Sequence, residues 1–445
     1  MRRTPLRRGL AWLAAIWLLG MLPAPVVGAA TGVPELRRWF GAEGGFEETA
    51  CWAPGGSCPG LSVSTGFGGT VTSERTMTIL EDPDGVERPW PARTGNRMFV
   101  ASVPGVGPGT AYLTTNGTTT ASASPTTISF SVRVHTPLAD PVVIFRHQGD
   151  SPGQAFALAL APGGQLIVSA PGLPQDSVPD VEAGVWNTIT VTYGGGIGAP
   201  FKVYLNSNLT LSGFLPFGGP SGRFDLGVVT PTSLPARIGI DDVVEAAGYD
   251  VPIHGARINY LIPLGQSGTE TWTKSYPVAA CVTAARNWQM VSEDQTVVAG
   301  GQSCSLDGGA LLAFSAGRSE ELLLEGVPSR HVASSSYYRD LRLQPLPGEL
   351  VLGVRMRMRG RTTAGSPPLT WSLSYIEGGA VTESFTFDGG DGSGASRWGA
   401  TYQTRPNGGD WTSSSLNGVR LRLDSGSGSG TRRVTEVRLD YVWVP

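Results

Sequence analysis

The stretch "TISFSVRVHT", Thr127 to Thr136, alternates without a break. Ile128, Phe130, Val132 and Val134 fall on one side, and Ser129, Ser131, Arg133 and His135 on the other. Successive side chains of an extended chain point to opposite faces, so this period of two describes a strand with one apolar and one polar face. The same rhythm continues downstream. "FALALAPGGQLIV", Phe156 to Val168, holds two alternating runs around Pro162, Gly163 and Gly164, the residues of a hairpin turn. "WNTITVTY" and "FKVYLNSN" follow, with Ile189, Val191 and Tyr193, then Phe201, Val203 and Leu205, as the inward sets. Many short strands at this spacing, joined by turns rich in the chain's 62 glycines and 34 prolines, predict an all-β fold, a sandwich or jelly roll.

A second set of strands begins with "ELVLGVRMRMRGR", Glu349 to Arg361, and continues through "LTWSLSYIEGG", "GVRLRLDSG" and "EVRLDYVWVP". Leu350, Leu352, Val354, Met356 and Met358 form one face of its first strand, and Arg355, Arg357, Arg359 and Arg361 line the other. The arginine row reads as a solvated sheet face paired with cross-strand acids. Between the two blocks the alternation weakens. The expected organisation is therefore residues 1–30 as a signal peptide, 31–254 as the first sandwich, 255–304 as a connector and 305–445 as a second antiparallel β-sandwich.

The signal peptide is read from Arg2, Arg3, Arg7 and Arg8, the apolar run Leu10 to Leu22, and the small residues before Ala29 and Ala30. Pro23 and Pro25 end the apolar run short of the roughly 20 residues that span a bilayer, so no membrane span is expected after cleavage. The expected location is secreted or at the cell surface. A formal charge of −3 gives no reason to expect nucleic acid. In an oxidising compartment Cys51, Cys58, Cys281 and Cys304 imply disulfides, and proximity favours Cys51 with Cys58 and Cys281 with Cys304 among three connectivities. His135, His147, His254 and His331 are too scattered for zinc.

The acidic cluster in "ARIGIDDVVEAAG", Ala236 to Gly248, decides between enzyme and binding module. Adjacent residues on a strand face opposite ways, so Asp241 and Asp242 cannot flank one glycosidic bond. Jelly-roll glucanases carry three acids at near-alternate positions, and Ile240 stands where the leading glutamate would be. The segment resembles the closing strand of LamG-like, concanavalin A-like jelly rolls. "GGFEET" from Gly44, the hairpin from Phe156 and "WNTITVTY" with "VYLNSN" resemble the earlier strands in the same order. "GARINYLIPLGQSGTETW" and "RPNGGDWTSSSLNGVRLRL" are similar to segments of phage tail or minor virion proteins.

What the resemblance implies is a non-catalytic binding or structural module. Asp241 and Asp242 are then structural, with a calcium role left open, to which "EDPDG", Glu81 to Gly85, and "FDGGDGSG", Phe387 to Gly394, could lend oxygens. "ERPWPAR" offers Trp90 as a stacking face for sugar, with Arg93 and Glu87 as hydroxyl partners. The expected partner is a glycan or a surface protein, in adhesion or surface assembly. The alternatives are a phage-derived structural protein and a jelly-roll glycoside hydrolase, which would need a second carboxylate facing Asp241 or Asp242 across about 5 to 9.5 Å.

Overall fold

Most of the alternating stretch becomes a strand, Thr126–Val134, inside an eight-stranded antiparallel sheet in the computed structural model of the protein. The structure describes residues 34–40, 57–58, 61–75, 97–115, 125–135, 137–148, 155–169, 176–178, 181–216, 223–267, 273–275, 280, 296–299, 302–305, 311–314, 319–326, 350–362, 370–377, 380–388, 395–405, 409–416, 419–424 and 432–445. The expected signal peptide, Glu87, Trp90, Arg93, Cys51, Cys281 and "EDPDG" lie outside them. Of the remaining cysteines, Cys58 and Cys304 are described only as strand residues.

The first sandwich is built from β1 (Leu36–Phe40), β2 (Ser57–Cys58), β3 (Leu61–Gly66), β4 (Thr70–Arg75), β5 (Arg97–Val103), β6 (Gly109–Thr115), β7 (Thr126–Val134) and β8 (Val142–Gln148). It continues with β9 (Ala155–Leu160), β10 (Leu166–Ser169), β11 (Asp176–Val178), β12 (Asn187–Tyr193), β13 (Pro200–Leu205), β14 (Asn208–Phe214), β15 (Phe224–Thr232) and β16 (Ala236–Ala247). One sheet runs β14-β13-β12-β7-β16-β5-β4, with β1 on the second half of β16. The other runs β11-β10-β9-β8-β15-β6-β3-β2. Every pairing between them is antiparallel, and neighbours in space are often distant in sequence, as β7 and β16 are.

The inward faces of the two sheets meet in one apolar core. Ile128, Phe130, Val132, Val134, Ile189, Val191, Tyr193, Phe201, Val203 and Leu205 all belong to it, as the alternation requires. Phe145 of β8 organises its centre, with ring centroids 5.5 Å from Phe130, 6.0 Å from Phe224 and 6.5 Å from Phe156. Rings at these separations add offset and edge contacts to the burial of area itself.

The second β unit contains β17 (Arg257–Ser267), β18 (Thr273–Ser275), β19 (Thr296–Ala299), β20 (Gln302–Ser305), β21 (Leu311–Phe314) and β22 (Ser319–Gly326). Its later strands are β23 (Leu350–Thr362), β24 (Thr370–Glu377), β25 (Ala380–Asp388), β26 (Ala395–Tyr402), β27 (Val419–Asp424) and β28 (Arg432–Val444). Ten of these form a sheet centred on β28, which pairs along its length with β23 and, on its other edge, with β21 and β17. The segment read as a connector therefore contributes β17 to this sheet, between β28 and β22. Its alternation is obscured because Pro263 and Gly265 flank a register shift.

The arginine row differs from the solvated face expected for it. Arg357 is fully buried, and Arg355 lies with its guanidinium 4.0 Å from the Trp39 ring centroid and 3.4 Å from Asp440. The cause is β1. Its Trp39 indole donates to Thr401 Oγ1 at 3.1 Å, Leu36 N–H donates to Gln403 Oε1 at 3.1 Å, and the Gln403 amide donates to the Pro34 carbonyl at 2.5 Å. One strand thus lies against β16 of the first sandwich and against β23 and β26 of the second unit. Residues Pro34–Pro445 form a single compact unit.

Candidate functional site

The polar face of β7 is not solvated either. Ser129, Ser131, Arg133, Thr188, Thr190 and Thr192 are all buried, although their strands turn them away from the core. At one end of this face the reason is the chain itself. After β16 the segment Gly248–Ala256 crosses the sheet and is fastened to it by hydroxyls. Asp250 N–H donates to Thr192 Oγ1 at 2.7 Å, Val251 N–H to Thr127 Oγ1 at 3.4 Å, and Thr127 Oγ1 to the Gly248 carbonyl at 2.9 Å. Buried backbone amides need partners, and a threonine ladder supplies them where aliphatic side chains would not.

The crossing needs unusual backbone. Gly248 has φ of +110° and Gly255 +72°, and Asp250 takes +58°, a left-handed value tolerated by aspartate more readily than by most residues. This aims the Asp250 carboxylate at β13. Lys202 and Tyr204, two apart on β13 and hence on one face, converge on it. Lys202 Nζ forms an ion pair with Oδ2, and the Tyr204 hydroxyl donates to Oδ1 at 2.5 Å. His254 completes the group, its ring centroid 4.1 Å from that of Tyr204 and its Nε2 3.9 Å from Asp250 Oδ1. Lys202 Nζ also sits 5.5 Å from the Tyr249 ring centroid. The cluster is half-open: the side chains of Lys202, Asp250 and His254 keep 28, 26 and 23% of their accessible surface.

These contacts separate the protonation preferences of the group. Burial pushes the Tyr204 phenol up to about 12, and its hydrogen bond to Asp250 adds to the rise. Burial pushes His254 the other way, below its ordinary value, against the opposing pull of Asp250. Burial alone would raise the Asp250 carboxyl, but hydrogen bonds from Lys202 and Tyr204 outweigh it and hold the group below the usual carboxylate range. The hydrogen bond to Asp250 raises Lys202. At neutral pH the cluster therefore holds an ammonium, a carboxylate, a protonated phenol and an imidazole biased to its neutral form, the opposed pair from which acid and base roles are assigned.

Asp241 and Asp242 stand elsewhere, and neither is open to a substrate, being 1% and 0% exposed. Asp242 occupies a bulge between Asp241 and Val244 with φ of +50°. Its Oδ1 accepts the Ile258 N–H at 2.9 Å, and its own N–H donates to Asp241 Oδ1 at 2.9 Å. Asp242 thus ties β16 to the first residues of β17. No three His, Cys, Asp or Glu side chains converge as a metal site among the described residues. The sequence offered one signal toward the crossover cluster, the outward positions of Lys202 and Tyr204 on β13. It offered none that Tyr249, Asp250 and His254 would reach them.

No protein-family model matches the chain, and a search of curated proteins finds no relative. The resemblance to LamG-like domains and to phage tail proteins thus gains no family support, while the all-β sandwich stands. Solved structures do match. An endo-β-1,4-glucuronan lyase from the fungus Trichoderma reesei is 12% identical, with 47% of this chain and 95% of that one covered and a TM-score of 0.31. Alginate lyase AlgAT5 is 18% identical over 34% of this chain and 78% of its own, with a TM-score of 0.28. Alginate lyase vAL-1 from a Chlorella virus is 12% identical over 48% of this chain and 100% of its own, with a TM-score of 0.31. These three are enzymes, a finding that stands against the expectation of a non-catalytic protein. No helix among the described residues is long and apolar enough to cross a membrane.

Proposed function

We propose that the protein is a polysaccharide-cleaving enzyme, exported from the cell, whose acid–base site is the crossover cluster. The observation that supports this is the contact between His254 and Tyr204, two groups whose protonation is biased in opposite directions at a half-open position on a sheet face. Tyr204 and Tyr249 supply ring faces for sugar C–H groups, and Lys202 and Asp250 supply charged hydrogen-bonding partners.

The residue types favour elimination over hydrolysis. Hydrolysis of a glycosidic bond uses two facing carboxyl groups, and the described cluster holds one, Asp250. Elimination from a uronate needs a cation for the sugar carboxylate, a base for the adjacent C5 proton and an acid for the leaving oxygen. Lys202, His254 and Tyr204 match these roles. The C5–H and C4–O bonds break, a C4–C5 double bond forms, His254 takes the proton and Tyr204 delivers one to the departing oxygen.

The test is incubation with polyglucuronate, alginate and a neutral β-glucan, followed by ultraviolet absorbance of the unsaturated product. Absorbance is expected to grow with a polyuronate and not with the neutral glucan. His254→Gln and Tyr204→Phe should each slow it by roughly 10² to 10⁴-fold, the usual worth of a positioned acid or base. Absence of product from every polymer, or full activity in both variants, would overturn the proposal.

A further inference from the structure

At the far end of β7 from the crossover, a cavity of about 440 Å³ opens into the end of the first sandwich. Val134 and Thr127 are seven residues apart on β7, about 23 Å at strand rise, so the cavity is separate from the acid–base cluster. Its walls are the buried side chains of Val134, Leu138, Leu160 and Val181, and its rim carries the exposed Glu182 and the turn between β9 and β10.

Four backbone donors around the cavity are already engaged. Val181 N–H donates to the Gly164 carbonyl at 2.7 Å, Gly164 N–H to Ala161 at 3.0 Å, Ala161 N–H to Gln165 at 2.8 Å and Gly184 N–H to Val134 at 3.0 Å. Gly164, at φ of +92°, allows the turn to close on Val181, because a Cβ there would strike the Val181 carbonyl oxygen. Gly163, at φ of +93°, leaves the mouth open: a Cβ there would meet nothing within 4 Å. Among the described residues the recess therefore presents apolar walls and the Glu182 carboxylate, and these four N–H groups are paired with backbone carbonyls. It falls in the usual 300–1,000 Å³ range of small-molecule sites, which are mostly apolar with few polar groups.

We propose that this cavity is a second binding site, for a small amphiphile with an aryl or alkyl body and a cationic amine head, the body among Leu138, Leu160 and Val181 and the head at Glu182. The probes are 4-phenylbutylamine and 4-phenylbutyrate, which share a body and carry opposite charges, titrated into the full chain while methyl resonances of Val134, Leu138, Leu160 and Val181 are followed. Saturable shifts with the amine, and binding several-fold weaker with the carboxylate, are expected. Ala161→Trp fills the mouth and should abolish the shifts. Glu182→Gln should reduce the preference for the amine by about two- to fivefold, the worth of an exposed ion pair. Equal binding of both probes, no saturable shift, or unchanged binding in a natively folded Ala161→Trp would overturn the proposal. Should that variant fail to fold, an unchanged amine preference in Glu182→Gln would overturn it equally.

Discussion

His147 lies inside the first sandwich, 1% exposed, between Phe145, Phe224 and Tyr193. Its Nδ1 is hydrogen-bonded to the Tyr193 hydroxyl. The charge that acts on it is Arg38, which is paired with Glu245 and holds its guanidinium 5.2 Å from the Phe224 ring centroid. Burial, assisted by the Arg38 charge, pushes His147 down from 6.5 to about 3. Below pH 6.5 the unfolded chain therefore binds a proton that the folded chain refuses, so stability falls as pH drops through the window from 6.5 to 3. At pH 5 the difference is 1.5 pH units, and at 1.36 kcal/mol per unit this residue alone costs about 2 kcal/mol relative to neutral pH. His147→Gln keeps an acceptor for Tyr193 and removes the titration. Denaturant unfolding of both proteins at pH 7 and pH 5 should show the wild type losing about 2 kcal/mol more than the variant. His135, pushed down to about 3 by burial, Arg133 and Arg237, contributes the same slope to both proteins and cancels. Equal losses in the two proteins, or a His147 ring proton that titrates near 6.5, would refute the reasoning.

Asp242→Ala should destabilise the protein by about 1–3 kcal/mol in chemical denaturation, since it strands the buried Ile258 N–H and puts alanine at the left-handed backbone position of Asp242. Asp242→Asn should cost less, because asparagine tolerates that φ and its side-chain carbonyl can accept the same bond. Arg355→Lys retains the charge opposite Asp440 but loses the flat guanidinium over Trp39, and should lower stability by about 0.5–2 kcal/mol in thermal or denaturant unfolding. A lysine variant as stable as the wild type would show that the stacking contributes nothing.

The fold was legible in the sequence to the extent that alternation reports sidedness. Ile128 through Val134, Ile189 through Tyr193 and Phe201 through Leu205 were assigned inward by period alone, and each alternate residue lies in the core. Alternation failed where the outward face meets protein instead of water. Ser129 and Ser131 were placed on a polar face opposite the core, and Arg355 and Arg357 on a solvated one. At the crossover, the hydroxyls of Thr127 and Thr192 are buried against the backbone amides of Val251 and Asp250, and Arg355 is covered by Trp39 of β1.

The candidate site was invisible for the same reason. Lys202 and Tyr204 could be placed on one face of β13, yet what they face is set by a segment 46–48 residues later in the chain. That segment is positioned by hydrogen bonds to threonines of β7 and β12, and those depend on the register of three strands. Asp241 and Asp242 drew attention because two adjacent acids are conspicuous in a sequence, and the bulge uses the second to hold Ile258. Asp250, a lone acid in "GYDVPIHG", is the carboxylate that the fold leaves half-open between a lysine, a tyrosine and a histidine. A sequence marks acids by their neighbours along the chain, whereas reactivity depends on neighbours across the sheet. In this fold the two sets are supplied by different strands.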